Sequence, residues 1–163
     1  MRTIKFKGTC IGLRYGGNIA FGSLVAYPDG TTRIFEYGQD GSFNNYSVDP
    51  DTACQFTGLF DKNGEEIYEG DVLRSDDYPF SSIQDNEIDN YYGVMFWSHE
   101  ETAFNVMCVK NIKSSSVRTM TDGYSYFFSK DSSQDFEVIG NIHDPEWKQY
   151  IKFFQEAYNE QHQ

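Results

Sequence analysis

Two tight turns within one stretch, residues 48–74 (VDPDTACQFTGLFDKNGEEIYEGDVLR), constrain the fold more than any other feature of the chain. Residues 61–64 (DKNG) predict the first turn, because Asp and Asn side chains bond their own backbone and Gly accepts a positive φ. Residues 69–71 (EGD) predict the second turn. Short strands are predicted at residues 55–60 and from residue 72 onward. Two reversals so close together favour small, strongly bent β-structure over helix.

The acidic residues of this stretch are predicted to serve the turns. Adjacent carboxylates recur here and just beyond it, as Glu65 with Glu66, Glu69 with Asp71, and Asp76 with Asp77. Acid–base catalysis needs two carboxylates whose pKa values are pushed apart, and adjacency in a chain with 25 acids does not show that. We expect Asp71 to accept backbone hydrogen bonds across the second turn, and Asp49 or Asp51 to cap the turn after Pro50.

The same residues carry a resemblance. The run Thr52 to Val72, TACQFTGLFDKNGEEIYEGDV, resembles the central motif of the YopX protein family, which is encoded mainly by phages and prophages. Residues 93–96 (GVMF) and 136–143 (FEVIGNIH) resemble two later segments of the family, with His143 where an aromatic residue is more usual. A weaker likeness covers residues 15–24, so the resemblance spans roughly residues 1–146. It implies a small Src-homology-3-type (SH3-like) β-roll of unknown function and supplies no catalytic residues.

The predicted fold is therefore mainly β, a small SH3-like barrel or roll. Residues 1–146 are expected to form a single β domain that begins with a β-meander over residues 1–48. Residues 75–92 are acidic and without period, which predicts a mobile loop. Residues 111–135 are predicted to be an inserted hairpin, because Asp-Gly at 122–123 is typical of a two-residue hairpin turn.

A C-terminal amphipathic helix and tail are predicted over residues 147–163. Asp144, Pro145 and Glu146 suit the start of a helix. Apolar residues then recur at helical spacing, namely Trp147, Tyr150, Ile151, Phe154 and Tyr158. That apolar face is expected to pack on the β domain; the alternative is a contact between subunits of a homo-oligomer.

Composition limits the classes of partner. Aromatic residues make up 17% of the chain, which suits a β-rich core and opposes general disorder. The net charge is −12 and is uneven: residues 1–48 carry five Lys/Arg and three Asp/Glu, whereas residues 49–163 carry eight and twenty-two. Such a body opposes nucleic-acid binding, which depends on neutralising phosphates, and opposes binding to anionic membranes. A basic–aromatic group at Lys5, Lys7, Arg14 and Tyr15 makes only a small patch.

No catalytic, cofactor-binding or metal-binding residues are predicted. Cys10, Cys54 and Cys108 show no C-x-x-C spacing and are expected to be thiols in a reducing compartment. His99 beside Glu100 and Glu101 could ligate a metal but is expected to face water. No phosphate-binding loop or dinucleotide fingerprint is present. No segment has the pattern of a signal peptide or a membrane span, so the expected location is the host cytoplasm.

These observations together predict a non-enzymatic phage or prophage accessory protein that binds a host or phage macromolecule through an acidic surface. The expected partner is a basic protein. Two alternatives remain open: a metal-dependent enzyme built from Asp and Glu residues brought together in space, and a structural subunit of an oligomeric assembly.

Overall fold

A computed structural model describes residues 3–75, 91–110, 126–127 and 129–147. Its elements, in chain order, are β1 (Phe6–Thr9), β2 (Ile19–Ala26), β3 (Thr32–Tyr37), β4 (Phe43–Val48), a 3-10 turn (Pro50–Thr52), β5 (Cys54–Phe60), β6 (Glu66–Tyr68), β7 (Asp71–Ser75), β8 (Tyr91–Ser98), β9 (Ala103–Lys110), β10 (Tyr126–Phe127), α1 (Lys130–Ser133) and β11 (Glu137–Asn141). The chain divides into two compact units, Met1–Gly58 and Leu59–Gln163. The prediction of a mainly β protein is confirmed, and every strand pair whose register the structure describes is antiparallel.

The first unit is a strongly curled sheet with the strand order β4-β3-β2-β1-β5. The curl brings the end of β1 to the end of β4, where Cys10 and Val48 form an isolated bridge. The Asp49 N–H also donates to the Thr9 carbonyl at 2.9 Å. Because the two strands meet through one bridge only, the described strands do not close a barrel. The predicted SH3-like barrel is thus not confirmed in detail, whereas the predicted meander over residues 1–48 is present.

A small core fills the inside of this curl. Cys10, Ala20, Ile34 and Val48 are buried there, and Phe6, Leu24 and Tyr46 pack against them. Gly8 belongs to the same inner side, since a Cβ at this position would lie 3.3 Å from the Ile34 Cδ1 atom. The inside is therefore filled by the protein's own side chains, as expected of interiors packed near crystal density.

The corner after β4 has the predicted cap. Asp49 accepts the Asp51 N–H at 3.1 Å through its carboxylate and begins the 3-10 turn, with Pro50 in the first position. Thr52 completes the corner, because its hydroxyl oxygen accepts the Thr9 N–H at 2.9 Å. The chain then enters β5, which runs past Gly58 into the second unit and forms a hairpin with β6.

The second unit contains a sheet in the order β10-β9-β8-β7-β11. One side of it buries Ile67, Leu73, Met95, Phe104, Val106 and Phe136. The other side buries Val72 and Val94 beneath Ile139, Ile142 and Trp147. Along β8, Val94 and Met95 are buried, whereas Phe96 and Trp97 are only partly covered. Alternation along β8 sends neighbouring side chains to opposite sides of the sheet.

Several predicted features lie wholly or partly outside the described residues. Of the loop predicted at 75–92, the described ends belong to strands β7 and β8. Of the hairpin predicted at 111–135, Tyr126–Phe127 pairs with β9. Residues 130–133, which lie within the predicted hairpin insertion, form the one-turn helix α1, because Ser129 and Ser132 make a reciprocal capping box. The helix predicted from residue 147 lies outside the described residues except for Trp147 itself.

We expect the inner core of the first unit to control its stability. Replacing Ile34, which is fully buried, with alanine should lower the free energy of unfolding by about 2 to 5 kcal/mol through lost burial and an unfilled cavity. The matched control is Val25→Ala, since Val25 is 40% exposed on the opposite side of the sheet. Urea unfolding followed by circular dichroism measures both variants. Equal midpoints for the two would contradict this assignment of the core.

Candidate functional site

The first turn of the central motif is organised by one buried carboxylate. Asp61 is only 1% exposed. One of its oxygens, Oδ1, accepts the N–H groups of Asn63 at 2.7 Å and Glu65 at 2.9 Å. The other oxygen, Oδ2, accepts the N–H of Val138 at 2.9 Å, on β11. The Lys62 N–H donates to the Phe136 carbonyl beside it. Asp61 therefore stabilises the conformation of its own turn and connects that turn by a hydrogen bond to β11, which is far along the chain.

The second turn is held by a matching pair, Asp71 and Asn141. Asp71 is fully buried, and its Oδ2 atom accepts the Tyr68 N–H at 2.7 Å. Its Oδ1 atom accepts from Asn141 Nδ2 at 2.9 Å. The Gly70 N–H donates to the Met95 carbonyl at 2.8 Å, and the Gly70 carbonyl accepts from Ile142. Gly70 has φ of 75°, so its turn suits glycine.

The prediction that Asp71 accepts a backbone hydrogen bond across its turn is confirmed. The sequence did not indicate that Asn141 and Val138 supply the other donors, because a contact between residues about 70 positions apart leaves no local pattern. Residues 52–72 and 136–143 both carry the family resemblance, and the structure places these two segments against each other. These hydrogen bonds engage the carboxylates of Asp61 and Asp71, which therefore have a structural role in holding the two turns.

An ion-pair cluster lies beside the first turn. Glu137 on β11 accepts from Arg74 Nη2 at 2.7 Å and lies 3.3 Å from Lys62 Nζ. These hydrogen bonds from Arg74 and Lys62 lower the pKa of Glu137. All three side chains are partly exposed, so the cluster contributes modestly to stability.

In the part of the chain that the structure describes, the remaining candidates of the sequence are not brought together into a reactive centre. His99 and Glu100 are exposed in the β8–β9 turn. Glu101 accepts a hydrogen bond from the amide of buried Asn105. Within the described ranges, no group of three or more His, Cys, Asp or Glu residues is arranged to hold a metal ion. Cys10 and Cys54 are buried thiols, and burial, with a smaller effect of Glu36, raises the pKa of Cys10.

The most unusual surface is the convex side of the curled sheet in the first unit. Alternation along the strands and the strand register place one set of side chains on this side, here called the outer face: Lys7, Phe21, Ser23, Val25, Arg33, Phe35, Tyr37, Phe43, Asn45 and Ser47. Tyr37 is 78% exposed and Phe43 is 51% exposed. Most of the large apolar side chains that the structure describes as exposed belong to this unit.

Aromatic rings on the outer face form a continuous group across β3 and β4. The rings of Phe35 and Phe43 are stacked, with centroids 5.7 Å apart and planes at 24°. The rings of Tyr37 and Phe43, which are directly opposite in the register, have centroids 4.8 Å apart. Covering a large apolar side chain with a partner lowers the free energy of the system. An exposed cluster of such side chains is therefore typical of an interaction surface.

The charged residues at the strand positions of the outer face, Lys7 and Arg33, are basic. Arg33 lies opposite Val25 and donates from Nη1 to Asn45 Oδ1 at 3.1 Å. Lys7 lies opposite Phe21, and Lys5 Nζ lies 5.7 Å from the centroid of the Phe21 ring. Of the basic–aromatic group predicted near the N-terminus, Lys5 and Lys7 are thus brought together with aromatic residues of the sheet.

The other two members of that group lie elsewhere. Arg14 and Tyr15 are in the loop between β1 and β2, where the Arg14 guanidinium lies 5.7 Å from the centroid of the Tyr15 ring. The rings of Tyr15 and Tyr46 are nearly perpendicular, with centroids 5.4 Å apart, and Tyr46 packs on the inner core. None of the helices in the described part of the chain has the length and apolar character to cross a membrane.

The fold and this surface define a small antiparallel β protein of two units with an exposed aromatic sheet face. Residues 27–146 match the sequence profile of the family described as YopX protein. The chain belongs to this family. A search of curated proteins finds no match. Among solved structures, the chain is similar to protein EF1440 from Enterococcus faecalis, with 20% sequence identity and a TM-score of 0.41 over 88% of this chain and 95% of that chain.

Removing the Asp61 carboxylate should destabilise the second unit. Asp61→Ala leaves the N–H groups of Asn63, Glu65 and Val138 without their acceptor, at a cost on the order of 3 kcal/mol. Asp40→Ala is the matched control, because exposed Asp40 accepts the Ser42 N–H within its own turn. The unfolding midpoint in urea, measured for both, should fall clearly for the first variant only. A midpoint unchanged by Asp61→Ala would contradict the role given to this residue.

The ion pairs of Glu137 predict a defined pH dependence. Because its pKa is lowered in the folded state from 4.5, its contribution is present above the unfolded pKa and is lost as pH falls through the folded pKa. Glu137→Gln should therefore lower the urea midpoint at neutral pH, and its difference from wild type should shrink below about pH 4.5. A difference that stays constant down to acid pH would rule out this linkage.

Proposed function

We propose that this chain is a non-enzymatic binding module, of phage or prophage origin, that contacts a host or phage macromolecule through the outer face. The observation that carries the proposal is the aromatic group of Phe35, Tyr37 and Phe43 in the first unit, in which the rings of Tyr37 and Phe43 are exposed. Interfaces draw most of their free energy from a few aromatic and Arg side chains near their centre. The outer face supplies both, since Arg33 lies on the strand that carries Phe35 and Tyr37.

The engagement of the buried carboxylates supports a binding role over catalysis. Asp61 and Asp71 use their oxygens in hydrogen bonds that hold the two turns. Exposed Asp29 and Asp40 likewise accept N–H groups of their own turns. A general acid or base must be able to exchange its proton with a substrate. The phage setting comes from the family resemblance, and the proposed location in the host cytoplasm rests on that setting together with the sequence pattern. The SH3-like roll is compatible with the curl of β1 to β4.

A second candidate keeps the acidic surface as the binding surface and a basic protein as the partner. The uneven charge favours it, since residues 49–163 carry most of the acidic groups. Electrostatic attraction of this kind is weakened by salt. Binding through the outer face would depend less on salt, because apolar and aromatic contacts carry more of it. The two candidates therefore differ in salt dependence and in which substitutions abolish binding.

The proposal predicts that binding depends on the exposed rings. Immobilised wild-type protein and a Tyr37→Ser/Phe43→Ser double variant are incubated with lysate of a host bacterium, and retained proteins and nucleic acids are quantified. At least one species should be retained at least tenfold more by the wild type, since a central aromatic residue contributes about 2 kcal/mol or more.

The control is Leu13→Ser, which removes a fully exposed apolar side chain from the loop between β1 and β2. It should retain the same species as the wild type. Equal retention by the wild type and the double variant would contradict binding through the outer face. If retention then vanished at high salt for all three proteins, the acidic surface would replace the outer face as the proposed binding surface.

A further inference from the structure

We infer that the outer face binds single-stranded nucleic acid. This inference rests on the proposed function and names the class of partner. It differs from what the net charge alone predicts, because it depends on where the aromatic and basic side chains lie and not on the total charge. Three properties of the face support it: its rings, its cations and its polar side chains.

The rings provide the larger part of the expected free energy. Bases of unpaired strands stack on aromatic side chains exposed on a β-sheet, and every base has a flat face to offer. Tyr37 and Phe43 are the most exposed aromatic residues of the outer face, on adjacent strands with centroids 4.8 Å apart. Phe35 supports Phe43 from beside it by stacking. The arrangement therefore presents neighbouring stacking positions across β3 and β4.

The cations lie beside these rings. Arg33 is on β3 with Phe35 and Tyr37, and Asn45 fixes its guanidinium by accepting a hydrogen bond at 3.1 Å. A guanidinium binds phosphate oxygens through two parallel N–H groups and also stacks on bases. Lys7 extends the basic character to β1, opposite Phe21. The strand positions of the outer face carry no Asp or Glu, although the whole chain has a net charge of −12.

The polar side chains of the outer face suit base edges. Ser23 and Asn45 lie on either side of Phe35 in the register, and Ser47 lies opposite Arg33. Hydroxyl and amide groups both donate and accept hydrogen bonds, as base edges require. A face meant only for an apolar protein surface would gain nothing from placing these groups between aromatic rings.

The acidic remainder of the chain selects single strands over duplexes. Duplex binding depends on neutralising many phosphates at once, which a strongly acidic body opposes. Stacking does not depend on net charge and is not available from the paired bases of a duplex. We therefore expect preference for unpaired strands and a shallow salt dependence.

The test uses fluorescence anisotropy of a labelled oligo(dT) of about twelve nucleotides, a length within the usual site size for single strands. Wild-type protein should bind it more tightly than a duplex of equal length. Tyr37→Ala and Phe43→Ala should each weaken binding about tenfold. Arg33→Ala should weaken binding. It should also reduce the slope of the logarithm of the binding constant against the logarithm of the salt concentration by about one, as expected for the loss of one phosphate contact. Leu13→Ala should bind like the wild type.

Two controls keep the result decisive. Circular dichroism and urea midpoints check that each variant is folded. Ultraviolet cross-linking of wild-type protein to an oligonucleotide containing 4-thiothymidine then maps the contact without any variant. Cross-links at residues of the outer face support the inference; cross-links confined to other parts of the chain, or no binding of the oligonucleotide at low salt, overturn it.

Failure here can be told apart from failure of the proposed function. If the Tyr37→Ser/Phe43→Ser variant loses a protein from lysate while the oligonucleotide does not bind, the outer face is a protein-binding surface and only the nucleic-acid inference is wrong. If neither a lysate species nor the oligonucleotide depends on these rings, both are wrong.

Discussion

The buried carboxylate of Asp61 is the interaction on which the second unit depends. A carboxylate without solvent is stable only when donors surround it, and here three backbone N–H groups do so. Two of them come from its own turn and one from β11, so a single side chain fixes the turn geometry and the position of a distant strand. Asp71 repeats the arrangement at the next turn with Asn141.

The sequence predicted the turns of this arrangement but not the hydrogen bonds to distant residues. The turns at 61–64 and 69–71, the strand β5 and the meander over residues 1–48 all follow from residue types that act on their own neighbours. The donors Val138 and Asn141 could not be predicted, because pairing across about 70 residues has no periodic signature in one chain. The helix α1 was missed because its two capping serines also suit an irregular loop.

The outer face illustrates a different limit of sequence reasoning. Along β2 to β4, large apolar residues occur on both sides of the strands, so the sequence alone does not say which side is buried. Ile34 and Phe35 are neighbours with similar character, yet Ile34 is fully buried and Phe35 is on the outer face. The deciding factor is the curl of the sheet, which Gly8 permits by leaving room for Ile34 and Val48. Which side of each strand is buried therefore follows from the strand register and not from the sequence pattern alone.

The long-range hydrogen bonds of Asp61 and Asp71 also set an order of events during synthesis. All strand pairs of the first unit, including that of β1 with β5, lie within residues 1–58. Its contacts can form while the ribosome is still translating the remainder. The two aspartates must instead wait for residues 138 and 141 to emerge. The chain between them can vary in length at small entropic cost, since loop closure depends only logarithmically on length.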